Sequence, residues 1–222
     1  MKPYRWFSIV TLNGYVFLYV HGAKMIRIIA FIIIFIGTAS AKSADEAEYD
    51  RLVSEMGRLS KVQSWSSVNS KFEELEELGL DIRIEEYLVG AQAAQEIGDI
   101  AKTKDRVSSA LLMKEKRSIR SWYSQLDNNY GYVKLIAKTK GNRELSRVEP
   151  IMDPIQSRSI EYASDAVSSK GKFYGMLPVG EYSFGGQSFM VTADMSIHLE
   201  ISPRLRKKMG VQIITEPIHK GE

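Results

Sequence analysis

The side chains that most often perform catalysis or bind metals are scarce in this chain of 222 residues. It contains no cysteine and three histidines, of which only His198 and His219 lie beyond the first 41 residues. The missing cysteines exclude a thiolate zinc site, a Cys nucleophile, a disulfide framework and a lipid anchor on an N-terminal Cys. They do not exclude an oxidising compartment. The two histidines are not at metal-ligand spacing, and we therefore predict no metal site.

The other catalytic motifs are missing as well. No serine lies in a Gly-x-Ser-x-Gly turn, and Gly185-Gly186 is not followed by the Lys-Ser/Thr of a phosphate-binding loop. Glu73 and Glu77 are one helical turn apart on a predicted exposed face, which indicates solubility rather than an acid–base pair. We predict a non-catalytic protein without a cofactor. A hydrolase stays open as an alternative, because a Ser–His–Asp triad can assemble from distant positions.

Positive charge is concentrated at two places in the chain. The formal net charge is +3, but the first 41 residues hold four cations and no acid, which leaves 26 cations and 27 acids in the rest. This balance argues against nucleic acid as a partner. A dense basic cluster follows in the tail, 204–222, at Arg204, Arg206, Lys207 and Lys208. It is either a solvated segment or a contact with an anionic surface of the cell envelope.

The segment 25–41 has the pattern of a secretory signal peptide. Met25-Ile26-Arg27 is a short positive region, 28–36 is an unbroken apolar run, and Ala39-Ser40-Ala41 suits a signal peptidase. We predict cleavage after Ala41 and a periplasmic or secreted bacterial protein; the alternative is an uncleaved inner-membrane anchor. Residues 1–24 are either an over-extended reading frame, with Met25 as the true start, or a weak first membrane segment.

Residues 42–129 form the predicted helical domain, which contains no proline. Apolar residues recur at helical spacing in five segments, and Gly79 and Gly98-Asp99 mark turns between them. The predicted helices cover 48–61, 66–78, 85–97, 100–113 and about 116–126. The alternative is a helical bundle with no internal repeat.

The second helical pair resembles a tetratricopeptide repeat. An aromatic residue, small residues and a Gly-Asp turn lie at the offsets that this family uses, at Tyr87, Ala91, Ala94, Gly98-Asp99, Thr103, Val107 and Ala110. The first pair matches more loosely, through Trp65, Val68 and Phe72. Residues 49–127 therefore resemble a short tetratricopeptide-like array with a capping helix. The resemblance implies a concave, partner-binding face lined by the first helix of each pair.

Residues 130–203 form the predicted β-rich module. Alternating patterns predict strands at 130–138, 145–149, 181–184, 187–191 and 196–202, with a return strand after a turn at 140–142. Asp153-Pro154 begins a helix that ends near Gly171, and Gly185-Gly186 forms a hairpin turn. Leu177-Pro178-Val179-Gly180-Glu181-Tyr182-Ser183-Phe184 resembles the strand entry of bacterial prealbumin-like and PEGA-like modules. The resemblance implies that Tyr182 and Phe184 enter a core, and that the module is structural or adhesive.

The chain is therefore expected to have an α+β fold: tetratricopeptide-like helical hairpins, then a small antiparallel β-sandwich-like module with one inserted helix. We predict an exported, non-catalytic envelope scaffold or adaptor whose partner is an envelope protein. The alternative is binding of a carbohydrate or cell-wall polymer through the β module. The predicted partner-binding positions are Arg58, Lys61, Arg83, Glu86, Gln92 and Gln95; alternatively, these residues only keep the helices soluble.

Overall fold

A computed structural model describes residues 8–12, 15–19, 44–138, 143–193, 195–201 and 214–217. The predicted signal peptide, the turn at 140–142, His219 and the basic cluster at 204–208 lie outside these residues. The chain divides into two compact units, Met1–Ala44 and Asp45–Glu222. None of the helices in the described ranges is long and apolar enough to cross a membrane.

The first unit contains two short strands. Strand β1 (Ser8–Leu12) pairs antiparallel with β2 (Tyr15–Tyr19), and Ser8 is opposite Tyr19. The interruption at Asn13-Gly14 therefore falls between two paired strands.

Five helices follow, and all five were predicted. They are α1 (Ala44–Lys61), α2 (Trp65–Glu77), α3 (Ile84–Ile97), α4 (Ile100–Met113) and α5 (Arg117–Asn129). The predicted apolar positions are confirmed, since Leu52, Phe72 and Leu75 are buried in one cluster that joins α1, α2 and α3. These three helices are thereby stabilised mainly by burial against one another, because isolated helices of this length are marginally stable in water.

The turn between α3 and α4 has the predicted Gly98-Asp99 sequence. Gly98 ends α3 in the left-handed conformation at φ +89°, which glycine adopts without a Cβ penalty. Asp99 then caps α4, because its carboxylate accepts a hydrogen bond of 3.2 Å from the Lys102 amide. The two helices are thus joined by a turn of two residues.

The second half contains seven strands in the described residues. These are β3 (Tyr130–Ala137), β4 (Leu145–Arg147), β5 (Lys172–Pro178), β6 (Gly180–Phe184), β7 (Gln187–Val191), β8 (Met195–Ile201) and β9 (Ile214–Pro217). One sheet has the order β5-β3-β8-β9, and the other has the order β4-β6-β7. The overall class is α+β, as predicted.

Two predicted strand arrangements are wrong. The segment at 145–149 is not a return strand of β3, because β3 already has β5 and β8 as neighbours; it forms β4, which pairs with β6 through Leu145 and Phe184. The module is also not wholly antiparallel, since β3 and β8 run parallel, with Val133 opposite Ile197. The long connection between these two strands permits the crossover that parallel pairing needs.

The inserted helix α6 (Pro154–Lys170) lies between β4 and β5, as predicted. The Asp153 carboxylate accepts a hydrogen bond of 2.8 Å from the Ile155 amide, and Gly171 ends the helix. Ala163 and Val167 are buried in a core that also contains residues of both sheets. Tyr182 and Phe184 are fully buried in the same core, which confirms their predicted direction.

The predicted hairpin between β6 and β7 is confirmed. Gly185 and Gly186 have φ angles of +55° and +82°, and Phe184 is opposite Gln187. Two successive positive φ angles are typical of a type I′ turn, which most other residues would strain.

Helix α6 also packs against the turn between α3 and α4. The Tyr162 hydroxyl donates a hydrogen bond of 3.0 Å to the Asp99 carboxylate, and Arg158 forms an ion pair of 2.8 Å with Glu96. A Cβ added to Gly98 would lie 2.5 Å from the Arg158 carbonyl oxygen. The absence of a side chain at Gly98 therefore permits the close approach of the two segments.

The helical and β-rich halves meet without a connecting segment. Helix α5 ends at Asn129 and β3 begins at Tyr130, while the Val179 amide donates a 2.9 Å hydrogen bond to the Asn129 carbonyl. One hydrophobic cluster includes Ile119 and Leu126 from α5 together with Tyr130 and Met176 from the strands. The division into separate domains stays a prediction.

Candidate functional site: a groove between two helices

A groove of about 390 Å³ lies between α3 and α5. Its lining combines apolar side chains with amides and one carboxylate, at Leu88, Val89, Gln92, Gln95, Glu96, Ser118, Ile119 and Trp122. Five of these residues come from α3 and three from α5. They share the groove because residues three and four apart lie on one face of a helix.

The polar groups of the groove are mostly uncharged. Gln92 is exposed and Gln95 is half-buried, and each amide can both donate and accept hydrogen bonds. Glu96 forms its ion pair with Arg158 of α6, so its charge is partly neutralised. Such a lining is suited to a segment that offers an apolar side chain together with backbone amide groups.

The position of α3 depends on a buried arginine of α4 that sequence reasoning missed. Arg106 is only 3% exposed. Its guanidinium donates a hydrogen bond of 2.7 Å to Asn69 Oδ1 and one of 2.8 Å to the Gly90 carbonyl oxygen. The same group lies 4.3 Å from the centre of the Phe72 ring. Its carboxylate neighbours are Glu76 at 3.7 Å and Glu73 at 4.0 Å. Burial lowers the pKa of Arg106. Arg106 thus connects α2, α3 and α4.

The other side of the groove depends on Lys104, which was also missed. Its ammonium group donates a 2.8 Å hydrogen bond to Asp127 and lies 5.5 Å and 5.2 Å from the ring centres of Tyr123 and Tyr132. Burial opposes the charged form, but the hydrogen bond to Asp127 and the favourable electrostatic surroundings outweigh it and raise the pKa of Lys104. Lys104 thus joins α4 to α5 and to β3.

The predicted partner-binding positions occupy three different places. Gln92 and Gln95 line the groove. Arg58 and Lys61 are exposed near the end of α1, and they are not among the residues that line it.

The remaining two predicted positions pair with each other. Arg83 forms an ion pair of 2.6 Å with Glu86, and its backbone amide donates a 3.3 Å hydrogen bond to the Tyr49 hydroxyl. Glu86 is only 6% exposed, so most of its carboxylate is turned away from solvent. The hydrogen bond to Glu86 raises the pKa of Arg83. This pair connects the start of α3 with α1.

The sequence contained a signal for both buried cations. Thr103, Arg106, Val107 and Ala110 follow the i, i+3, i+4, i+7 spacing of a buried face, and Lys104 is on the edge of that face. A basic residue at such a position predicts a satisfied internal cation. Residue type alone predicts the opposite, because Lys and Arg are usually exposed.

The described residues contain no group of three or more His, Asp or Glu side chains that could hold a metal ion. His198 lies in β8, opposite Lys134 of β3 and Ile214 of β9. Its Nε2 atom is buried and has no hydrogen-bond partner in the described residues.

Comparisons with protein-family models, with curated proteins and with solved structures found no match to this chain.

Proposed function

We propose that the chain is a non-catalytic scaffold of the bacterial cell envelope, which binds a segment of a partner protein in the groove between α3 and α5. The observation that carries this proposal is the groove itself, where Leu88, Val89, Ile119 and Trp122 surround the amides of Gln92 and Gln95. Its volume of about 390 Å³ is in the range of ligand-binding clefts, which is roughly 300–1,000 Å³.

The lining favours an extended or helical peptide with an apolar anchor side chain. Aromatic and aliphatic residues supply contact area, and Trp is enriched among the residues that dominate binding energy. Gln92 and Gln95 would bind backbone amide groups of the partner, since an amide side chain matches both a donor and an acceptor.

The proposal includes the finer fold assignments. The five helices would form a tetratricopeptide-like array, in which α1, α3 and α5 line the concave face and α5 acts as the cap. Buried small residues at Ala91, Ala94 and Ala110 support this assignment, because they permit close helix contacts. The strands would form a prealbumin-like or PEGA-like sandwich, supported by the core that both sheets share.

Export is the other part of the proposal, and it is supported by the sequence pattern at 25–41. N-terminal sequencing of the protein from a bacterial envelope fraction should give a chain that begins at Lys42. A chain that begins at Met1 or Met25 in the membrane fraction would contradict export with cleavage.

Site-specific photo-crosslinking tests the groove. A benzoylphenylalanine at Gln92 or at Gln95 should form one discrete adduct with a protein in the envelope. The matched control is Ser124, which is exposed on α5 but lies on the opposite side of that helix from Trp122. Equal adducts from all three positions, or none from the two groove positions, would reject the groove as the binding site.

A second candidate function is binding of a wall polymer through the β module. The Tyr174 side chain of β5 is 55% exposed and lies beside Lys134, whose ammonium group is 5.4 Å from the ring centre. An exposed aromatic face could stack on a sugar ring. Retention on isolated wall polymer that is lost in Tyr174→Ala, with groove crosslinking unchanged, would favour this function.

A further inference from the structure

The connection between α4 and α5 exposes apolar and basic side chains together. Leu112 is 87% exposed and Met113 is 51% exposed, at the end of α4. The next exposed cations are Lys114, Lys116 and Arg117, and none of them forms an ion pair within the part of the chain that the structure describes. The acid of this segment, Glu115, is paired with Arg120. Three positive charges therefore follow two exposed apolar side chains within one short segment.

Exposed apolar side chains next to unpaired cations are less stable in water than they would be against a surface that is both apolar and anionic. An exposed leucine loses the free energy that burial of its apolar surface would give, and unpaired cations attract any negative surface nearby. The positive end of the α5 dipole adds to this potential, since α5 begins at Arg117. The complementary surface is one that is anionic at its boundary and apolar beneath it.

We propose that the segment Leu112–Arg117 is a membrane-surface contact for an anionic phospholipid bilayer. Leu112 and Met113 enter the boundary between headgroups and acyl chains, and Lys114, Lys116 and Arg117 bind lipid phosphates. Interfacial protein segments divide their apolar and basic residues in this way. Lys and Arg also have long aliphatic stems, so their charged ends can stay at the headgroups while the backbone of the segment lies deeper in the bilayer.

The exposure of Leu112 favours a bilayer over a protein partner. Residues that dominate protein–protein binding usually lie in well-packed clusters, whereas Leu112 projects from the end of its helix with most of its surface free. A fluid bilayer can receive a projecting side chain without a preformed pocket. This inference goes beyond the proposed scaffold function and does not depend on it, because the contact and the groove use different residues.

Vesicle sedimentation tests the inference. The protein beginning at Lys42 retains the whole compact unit from Asp45 and lacks the apolar run at 28–36, which would bind vesicles by itself. It should sediment with vesicles of phosphatidylcholine and phosphatidylglycerol in equal parts, but not with phosphatidylcholine alone. Each basic residue near an anionic membrane contributes about 1 kcal/mol, or about fivefold in affinity. Lys114→Ser/Lys116→Ser/Arg117→Ser should therefore weaken binding on the order of 100-fold.

A matched variant separates this contact from general charge effects. Lys102→Ser/Lys170→Ser/Lys172→Ser removes the same charge from exposed positions elsewhere and should bind within about threefold of the unchanged protein, because distant exposed charges are screened by salt. Leu112→Ser should weaken binding about tenfold through the loss of buried apolar area. Circular dichroism should show an intact fold for every variant.

Three outcomes would overturn the inference. The first is equal weakening by the two triple variants, and the second is binding that Leu112→Ser leaves unchanged. The third is the absence of vesicle binding; if a soluble polyglutamate peptide then binds and the first triple variant abolishes that binding, the segment is a surface for an acidic protein.

Discussion

Substitution of Gly98 by alanine gives a quantitative test of the contact between α6 and the helical array. The matched control is Gly79→Ala, because Gly79 also has a left-handed φ, at +66°, but an added Cβ there would meet nothing within 4 Å. At Gly98 the same Cβ would lie 2.5 Å from the Arg158 carbonyl oxygen and 3.0 Å from the Tyr162 Cβ. Both variants therefore strain the backbone, and only Gly98→Ala also displaces α6.

The expected magnitudes follow from these contacts. A left-handed alanine costs about 1–2 kcal/mol, which is the whole effect expected for Gly79→Ala. Displacement of α6 also weakens the hydrogen bond from Tyr162 to the Asp99 carboxylate, and hydrogen bonds to charged groups contribute about 1.5–3 kcal/mol. The ion pair between Arg158 and Glu96 is partly exposed and adds less than about 1 kcal/mol. We expect Gly98→Ala to lower the free energy of unfolding by about 3–5 kcal/mol.

Urea denaturation followed by circular dichroism measures both free energies of unfolding. Tyr162→Phe should lower stability by about 1.5–3 kcal/mol alone and by less in the Gly98→Ala background, because the two substitutions disrupt one contact. Equal losses for Gly98→Ala and Gly79→Ala, or full additivity with Tyr162→Phe, would refute the argument that Gly98 permits the docking of α6.

Three further predictions concern other parts of the fold. Arg106→Met should lower the free energy of unfolding by about 3 kcal/mol in the same urea assay, because it leaves Asn69 Oδ1 and the Gly90 carbonyl without the Arg106 donor. The control Arg51→Met, on the exposed face of α1, should change the free energy of unfolding by less than about 0.5 kcal/mol. Burial raises the pKa of Tyr130 and of Tyr162 to about 12 from an ordinary value of 10.0. The unfolded state therefore loses these protons first, and stability should fall between pH 10 and 12. Tyr162→Phe should reduce that fall, as measured by unfolding at each pH. A fragment of residues 42–129 should remain helical by circular dichroism but should unfold at a lower urea concentration than the longer chain. The reason is that the fragment lacks Tyr130 and Met176, which belong to the hydrophobic cluster around Ile119. A strand-rich or fully unfolded fragment would contradict this prediction.

The helices could be predicted because local signals agree with tertiary packing. Apolar residues at period 3.6, the absence of proline from 42–129 and the Gly98-Asp99 turn all favour the same boundaries. The hairpin at Gly185-Gly186 was predictable for a similar reason, since both φ angles are positive.

Strand pairing could not be predicted from the same signals. Alternation shows which side chains of a strand enter the core, but it does not identify the neighbouring strand. The pairing of Leu145 with Phe184 and the parallel pairing of β3 with β8 depend on contacts between distant segments.

The groove was predictable in part. Gln92 and Gln95 were predicted partner-binding positions on α3, and both line the groove, whereas Trp122 and Ile119 of α5 were predicted only as apolar residues. Arg83 and Glu86 are three residues apart, so their ion pair is local, but the contact of Arg83 with the Tyr49 ring depends on how α1 packs against the start of α3. Whether the positions on α1 contact a partner stays a prediction.

The direct junction between α5 and β3 has a consequence for multivalent binding. Asn129 is followed at once by the strand, and Lys104 contacts Tyr123 on one side of the junction and Tyr132 on the other. A flexible linker lets two binding surfaces search for their targets independently, and their effective concentration then depends on linker length. Here the helical and strand surfaces are held at a fixed separation. A ligand with two attachment points gains avidity only if its own spacing matches that separation, so the chain would select partners by distance as well as by chemistry.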